Sequence, residues 1–440
     1  MSYKETMAVP VYQGRFGQAQ AERLLWRAGF GPRPGEAKRL AAKGLRAAVR
    51  SLTRPATAAL VGPAPVDDKQ RPIAPGDAFG HDHLWWLDRM VRSTAPHVER
   101  MTLVWHDWFA TSNQGVGSQP LMLAQNELFR RYALGSFSEL LLEVTKDPAM
   151  LVWLNGNQNT NRSPNENYAR ELMELFTIGA DRPGGYTETD VREQARALTG
   201  WRGKKKDDTA QTFVYDPRLH DAGSKTVFGQ AGTFDWQDAC RLCLSHPLHA
   251  SFAVRKLWSY FVPTAPGAKT AAALERLYRA DFQVRPVVEA ILEHPDLYRG
   301  PRMVKPPAVY AAGLLRARGR GIDTTAWTRL GDAAGQRLFY PPNVAGWDET
   351  RWLDTATFRG RWYLAATALR PALDRPDAAP SSPAKLVSRA IAYWGAPTVT
   401  TPTRKMLDRF AADALKEAPA SAVENALRQL VAVSPDLQTS

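Results

Sequence analysis

Cysteine is almost absent from this 440-residue chain: Cys240 and Cys243 are its only two, three positions apart, and they could not staple a fold of this size. Stability must therefore come from core packing. No window approaches the ~20 consecutive apolar residues that a membrane-spanning helix needs, so no span is expected. Met1 to Phe16 lacks a positive stretch followed by an apolar one. No secretory signal is legible there, and a cytoplasmic product is the expectation. Also missing are Gly-x-Ser-x-Gly, a Walker-type phosphate loop, the Rossmann glycine fingerprint and His-Glu-x-x-His.

What is present is apolar bulk. The chain is 44% hydrophobic with 14 Trp and 16 Phe, enough for a large core split into two or three packed subregions. Lys and Arg number 57 against 44 Asp and Glu, a formal charge of +13, which would steer anionic partners. The basic residues are spread out, however. Their one tight run, Lys204 to Lys206, is followed at once by Asp207 and Asp208. With no reader motif beside the charge, nucleic-acid binding is not expected.

Helical periodicity dominates and predicts an all-α, multi-helix packed array with long loops. Pro96 divides the aromatic-rich stretch 82–111 into two helices. Ser163-Pro164-Asn165-Glu166 reads as a capping box opening a helix to Ile178 that stops at Gly179, and Thr187-Glu188-Thr189-Asp190 opens another ending near Leu198. His246, His294 and Ser434 each precede a proline, which predicts three helix stops. Residues 53–80 and 203–233 read as loop excursions, with at most a small β-hairpin near 210–230, around Thr212 to Tyr215. The expected organisation is a main helical domain over 1–375, a linker marked by Pro371, Pro376, Pro380 and Pro383, and a helical tail over 384–440.

Several segments together resemble a known family. They are Glu99-Arg100-Met101, the run Trp105 to Ser112, Gln125-Asn126, Asp147 to Met150, Asn165 to Gly179, Tyr186-Thr187-Glu188 and Ala195 to Trp201. Later come His220 to Thr226, Lys256-Leu257-Trp258, Lys305-Pro306, Gly335-Gln336, Pro341 to Trp347 and the closing Ser434 to Gln438. On these the chain is identified as a member of the bacterial family named only as domain of unknown function 1800, with coverage of nearly its whole length. The resemblance implies a helical fold, an alkaline-phosphatase-like partner protein, and export in many relatives, but no established activity. Relatives commonly carry a second histidine where this chain has Trp108, so a paired-histidine role does not transfer to His106.

The chemistry-bearing candidates follow from spacing. Asn167, Arg170, Glu171 and Glu174 share one helix face, and the next helix adds Glu193 and Arg196. If the faces meet, Arg–carboxylate pairs cross between helices. In the functional interpretation, Glu171, Glu174 and His220 are the catalytic candidates. Asn165, Glu166, Asn167, Arg170, Glu193, Arg196, Asp221, Lys225 and His106 are the ligand-binding ones, serving an anionic or polar substrate. In the structural interpretation the same pairs are interhelical ties, the His220-Asp221 loop is an anchored turn, and His106 is a hydrogen-bonded core residue. Cys240, Cys243, His246 and His249 imitate zinc ligands but crowd into ten residues with Pro247 between the histidines, so no metal site is assigned. Glu171-x-x-Glu174 lacks the Glu-x-x-His partners of a di-iron bundle, and Asn155, Asn157, Asn159 and Asn161 lack acidic companions for calcium. No cofactor is indicated. The competing class is a non-catalytic assembly or scaffold protein.

Overall fold

Proline and glycine cut the chain into helices much as their backbone restrictions dictate. Pro96, Pro120, Pro148 and Pro295 each sit in the first turn of a helix, where a missing N–H costs nothing. His246, His294 and Ser434 are all extended and close their helices one residue before a proline, as expected. The computed structural model describes residues 8–205, 211–373 and 382–440. Met1 to Met7, the end of the basic run at Lys206 with Asp207 and Asp208, and the linker residues Pro376 and Pro380 lie outside the described residues.

Among the described residues there are 23 α-helices and two two-stranded antiparallel sheets, so the fold is mostly α. None of these helices is long and apolar enough to cross a membrane. Trp201–Lys205 pairs with Gln211–Tyr215, and Lys225–Val227 pairs with Gln230–Gly232. The expected small hairpin is thus two hairpins, the first starting at Trp201. Its register places Trp201 opposite Tyr215, and their rings meet edge-on at 5.5 Å.

Apolar side chains gather into two cores. One is built around Trp105, Trp108, Phe137, Leu172, Phe176, Leu257 and Tyr278. The other is built around Trp86, Tyr310, Trp327, Phe339 and Leu364, and takes in Leu386, Val387, Leu407 and Leu427 from the helices after 382. The Pro96–Trp108 helix serves both. Eleven of its thirteen residues are buried, with Met101, Val104, Trp105 and Trp108 in the first core and Leu103 in the second. A helix buried all round has no solvent face on which to place its charges. Arg100 and Asp107 must therefore be accommodated inside.

The Thr187 capping box forms as expected: Asp190 N–H donates to Thr187 Oγ1 (3.2 Å) and Thr187 N–H to Asp190 Oδ2 (2.8 Å), opening Glu188–Ala197. The Ser163 box does not form. Ser163 is held in a turn with Thr160, while Asn159 Oδ1 accepts from Asn165 N–H (2.9 Å) and Asn165 Oδ1 from Asn167 N–H (3.0 Å). These asparagines compete for the first-turn amides, and the α-helix begins only at Asn167. After Glu171 the backbone widens to a π-helix over Leu172–Thr177, with Ile178 N–H bonded to Met173 O at 2.8 Å. Such π segments are rare and concentrate at functional sites.

At Gly360 two helices approach closely: a Cβ there would lie 2.4 Å from Ala333 O and 2.5 Å from Ala334 N. Gly360→Ala gains ~1 kcal/mol of helix propensity but forces the Ala326–Ala333 and Thr355–Leu373 helices apart, an overpacking cost of about 1–3 kcal/mol. The expected outcome is a lower urea midpoint. An unchanged midpoint would show that these helices separate freely.

Candidate functional site

The residues singled out by spacing gather into two groups, and no hydrogen bond or ion pair joins the groups among the described residues. In the first, Arg170 bridges to Glu188 on the next helix (2.9 and 2.7 Å) and reaches Glu166 (3.3 Å) and Glu174 (3.4 Å). These contacts, led by the Glu188 hydrogen bond, hold the Arg170 guanidinium above its ordinary pKa. Asn167 is exposed and donates to Asn155 Oδ1 (3.0 Å). Glu171 differs from its neighbours. It makes no ion pair among the described residues, and desolvation, then Glu174, raises its carboxyl to about 6.

In the second group Arg196 clasps Asp221 (2.7 Å) and Glu193 (2.8 Å), and Glu193 also accepts from Thr226 N–H (3.1 Å). Lys225 is buried and donates to Gly223 O (3.0 Å) and Asp221 O, while His220 Nδ1 lies 3.2 Å from Thr199 Oγ1. Asp221 and Thr226 are thereby tied to the Glu188–Ala197 helix, His220 to Thr199 just past its end, and Lys225 to its own loop. His106 is elsewhere, enclosed by the rings of Trp86, Phe129, Phe339 and Trp347 at 5.2–6.2 Å, and burial lowers its pKa to about 3. Cys240 and Cys243 are buried on one helix, and both ring nitrogens of His249 are engaged, by Thr177 O (2.9 Å) and Tyr278 Oη (3.0 Å).

A different constellation surrounds a cavity of about 260 Å³ at the seam of the two cores. On the shared helix, Arg100, Leu103, Val104 and Asp107 line it at i, i+3, i+4 and i+7, one stripe of the cylinder. Lys256, Ser259 and Tyr260 face it from the His249–Ser259 helix and the residue after it. Gln336, Trp347, Asp348, Glu349 and Trp352 complete it from the second core's side.

Asp107 sits at the centre of this arrangement. Its Oδ1 accepts from Trp347 N–H (2.9 Å) and its Oδ2 from Tyr260 O–H (2.8 Å). Burial raises its pKa, opposed by those two donors and by the charges of Lys256 and Arg100. Lys256 Nζ donates to Leu175 O (3.0 Å) and lies 4.8 Å from the Trp108 ring centre. Burial lowers its pKa to about 8, with Asp107 pulling upward. Arg100 is only 4% exposed, and burial lowers its pKa to about 10, so it stays charged at neutral pH. Its guanidinium makes no hydrogen bond or ion pair among the described residues, and its Nε is enclosed without a partner. Glu349 is exposed at the rim, yet desolvation, then Asp107 and Asp348, hold its carboxyl above the usual range.

The π segment links the two regions. Its Leu175 carbonyl accepts from Lys256, which lines the cavity, and its Phe176 carbonyl from Trp108 Nε1 (3.1 Å) on the shared helix, so the helix that carries Glu171 and Glu174 ends beside the cavity. The cavity residues escaped the spacing argument although Arg100, Asp107, Lys256, Gln336 and Trp347 lie in segments already singled out; Ser259, Tyr260, Asp348, Glu349 and Trp352 fall just beyond them. The available signal was the Arg100–Asp107 pair, two charges seven apart on a helix with no polar face.

The fold and the cavity together define a two-core helical protein with a charged internal pocket. The chain belongs to the family described as protein of unknown function (DUF1800), which matches residues 23–439. Neither the curated proteins nor the solved structures provide a match.

Gly346 explains part of the Pro341 to Trp347 motif. It has φ +90°, and a Cβ on it would stand 2.3 Å from Asp107 Oδ1 and 2.9 Å from Asp107 O. Only glycine lets Trp347 N–H reach the carboxyl. Gly346→Ala is expected to lower thermal stability by about 1–3 kcal/mol through positive-φ strain and lost contact. Wild-type stability in this variant would mean that the Trp347–Asp107 bond contributes nothing.

Proposed function

We propose that the chain binds a small anionic or polar molecule in the pocket between the cores, as an enzyme or ligand-binding protein. One observation carries this: a nearly fully buried guanidinium, Arg100, faces a cavity and makes no hydrogen bond or ion pair among the described residues. An unpaired buried cation costs several kcal/mol, a penalty that an incoming anion removes. Lys256 adds a second positive charge, and beside it stands Asp107, which accepts a hydrogen bond from Tyr260 O–H. Glu171, half-buried with no ion pair among the described residues and its pKa raised to about 6, is a further acid or base candidate just before the neighbouring π segment. Glu174, Arg170, Arg196, Asp221, Lys225 and His220 act in support, as ties that hold these elements together.

The test is a thermal-shift and calorimetric screen of the purified chain with acetate, succinate, phosphate and sulfate. At least one should bind, and Arg100→Gln should weaken it on the order of 10- to 100-fold, ~1.4–2.8 kcal/mol. Binding that survives the substitution unchanged would discard the pocket. The pH dependence has a definite sign. Below about 8 Lys256 is an ammonium, and above it the amine is neutral. Anion affinity is therefore expected to fall on the order of tenfold as pH rises from 7 to 9, and Lys256→Met should abolish that step.

A partner-binding role is favoured by a separate feature. Phe358, Trp362 and Tyr363 are exposed on one helix, the type of aromatic patch that marks protein interfaces. The alkaline-phosphatase-like partner implied by the family resemblance would dock there. Trp362→Ser with Tyr363→Ser should then abolish co-purification with such a protein while leaving small-molecule binding intact.

A further inference from the structure

The pocket is polarised along its depth. At the buried end stand Arg100 and Gln336, 4% and 2% exposed. Gln336 Oε1 accepts from Ala308 N–H (3.0 Å), which fixes the amide and leaves its Nε2 without a partner among the described residues. Both groups are donors, suited to a carboxylate's two oxygens. At the mouth stand Asp348 and Glu349, both exposed, next to the indoles of Trp347 and Trp352. Asp348 is occupied by Thr350, from which it accepts the backbone N–H (3.0 Å) and the hydroxyl (2.6 Å). Glu349 makes no hydrogen bond or ion pair among the described residues. An acidic group at a rim also lined by two tryptophans suits an ammonium, through charge and cation–π attraction. The lining as a whole holds two cations, Arg100 and Lys256, against three carboxyls, Asp107, Asp348 and Glu349. A simple dianion would meet repulsion at the rim.

We propose that the natural ligand is a zwitterion, with its carboxylate held inside by Arg100 and Gln336 and its ammonium group at the mouth between Trp347, Trp352 and Glu349. This rests on the anion-binding reading above and narrows it to amino-acid-like molecules or their ω-amino counterparts.

The experiment is isothermal titration calorimetry of the full chain at pH 7 with three matched series of four to six carbons. These are the simple carboxylates (butyrate to hexanoate), the ω-aminocarboxylates (4-aminobutyrate to 6-aminohexanoate) and the dicarboxylates (succinate to adipate). Norvaline joins them as an α-amino probe. An amino compound is expected to bind at least tenfold more tightly than the carboxylate of equal length, and the dicarboxylate least well. Glu349→Gln, a change at an exposed position, should shrink the preference for the amino compound to below threefold while the simple carboxylates keep their affinity within twofold. Equal affinities across the series, or dicarboxylates binding best, would overturn the zwitterion. In that outcome the anion site itself stands if Arg100→Gln abolishes binding. Binding by no probe would overturn both. Should Arg100→Gln fail to fold, the series in the wild-type chain and in Glu349→Gln still decide the matter.

Discussion

The carboxyl of Asp107 is where the two halves of this molecule are tied. It projects from a helix that serves both cores, receives Trp347 N–H from the second core's side, and receives Tyr260 O–H from the first. A buried carboxylate without donors would cost several kcal/mol. Two well-placed donors satisfy it, and each comes from an element that must be in register for the bond to exist. The glycine at 346, the tyrosine one position past the His249–Ser259 helix and the burial of the Pro96–Trp108 helix are separate sequence features that serve this single contact.

The other buried cations show why Arg100 stands out. Arg316 donates to Gly31 O (3.0 Å) and Val91 O (3.2 Å). Arg361 donates to Trp352 O (2.6 Å), Lys305 O (2.7 Å) and Gln438 Oε1 (3.0 Å), and Lys305 Nζ donates to Leu437 O (2.7 Å). Arg27 donates to Phe261 O and to Ser440 Oγ (3.0 Å). The fold thus buries guanidinium groups by giving them carbonyl oxygens, which return the hydrogen bonds lost on leaving water. Arg100 is equally buried but lacks that provision, and it faces the cavity.

The helical frame was legible because its signals are local. Proline at first turns, the residue before proline, and the Thr187 box each act through bonds within four residues. The Ser163 start failed because Asn159 and Asn165, also local but equally able to bond backbone amides, won the competition. The π segment and the paired hairpins depend on contacts distant in sequence, such as Lys256 on Leu175 O, and no periodicity carries them. Spacing did place Arg170 and Glu174 on one face and Arg196 near Glu193. It could not say whether that face meets a cavity or another chain segment, and Asp221 and Glu188 turned out to be the segments met. Asp107 was masked by its neighbour: His106 drew attention as a titratable ring, yet it points among four aromatics while the adjacent carboxyl points into the pocket.

The polar groups of the pocket share one property that bears on its use. Lys256 is aimed by its bond to Leu175 O, and an ammonium has three donors, so two remain. Gln336 is aimed through its oxygen, with its NH₂ left free, and Ser259 is aimed by Lys256 O (2.9 Å). Tyr260 is fixed by Asp107. Each group is oriented by one bond to the protein while capacity for another is kept. The entropy of ordering these side chains is therefore already spent in folding, and an occupant need not supply it. A seam that merely joined two cores would have no reason to leave that capacity open, because apolar packing of the same volume would be more stable.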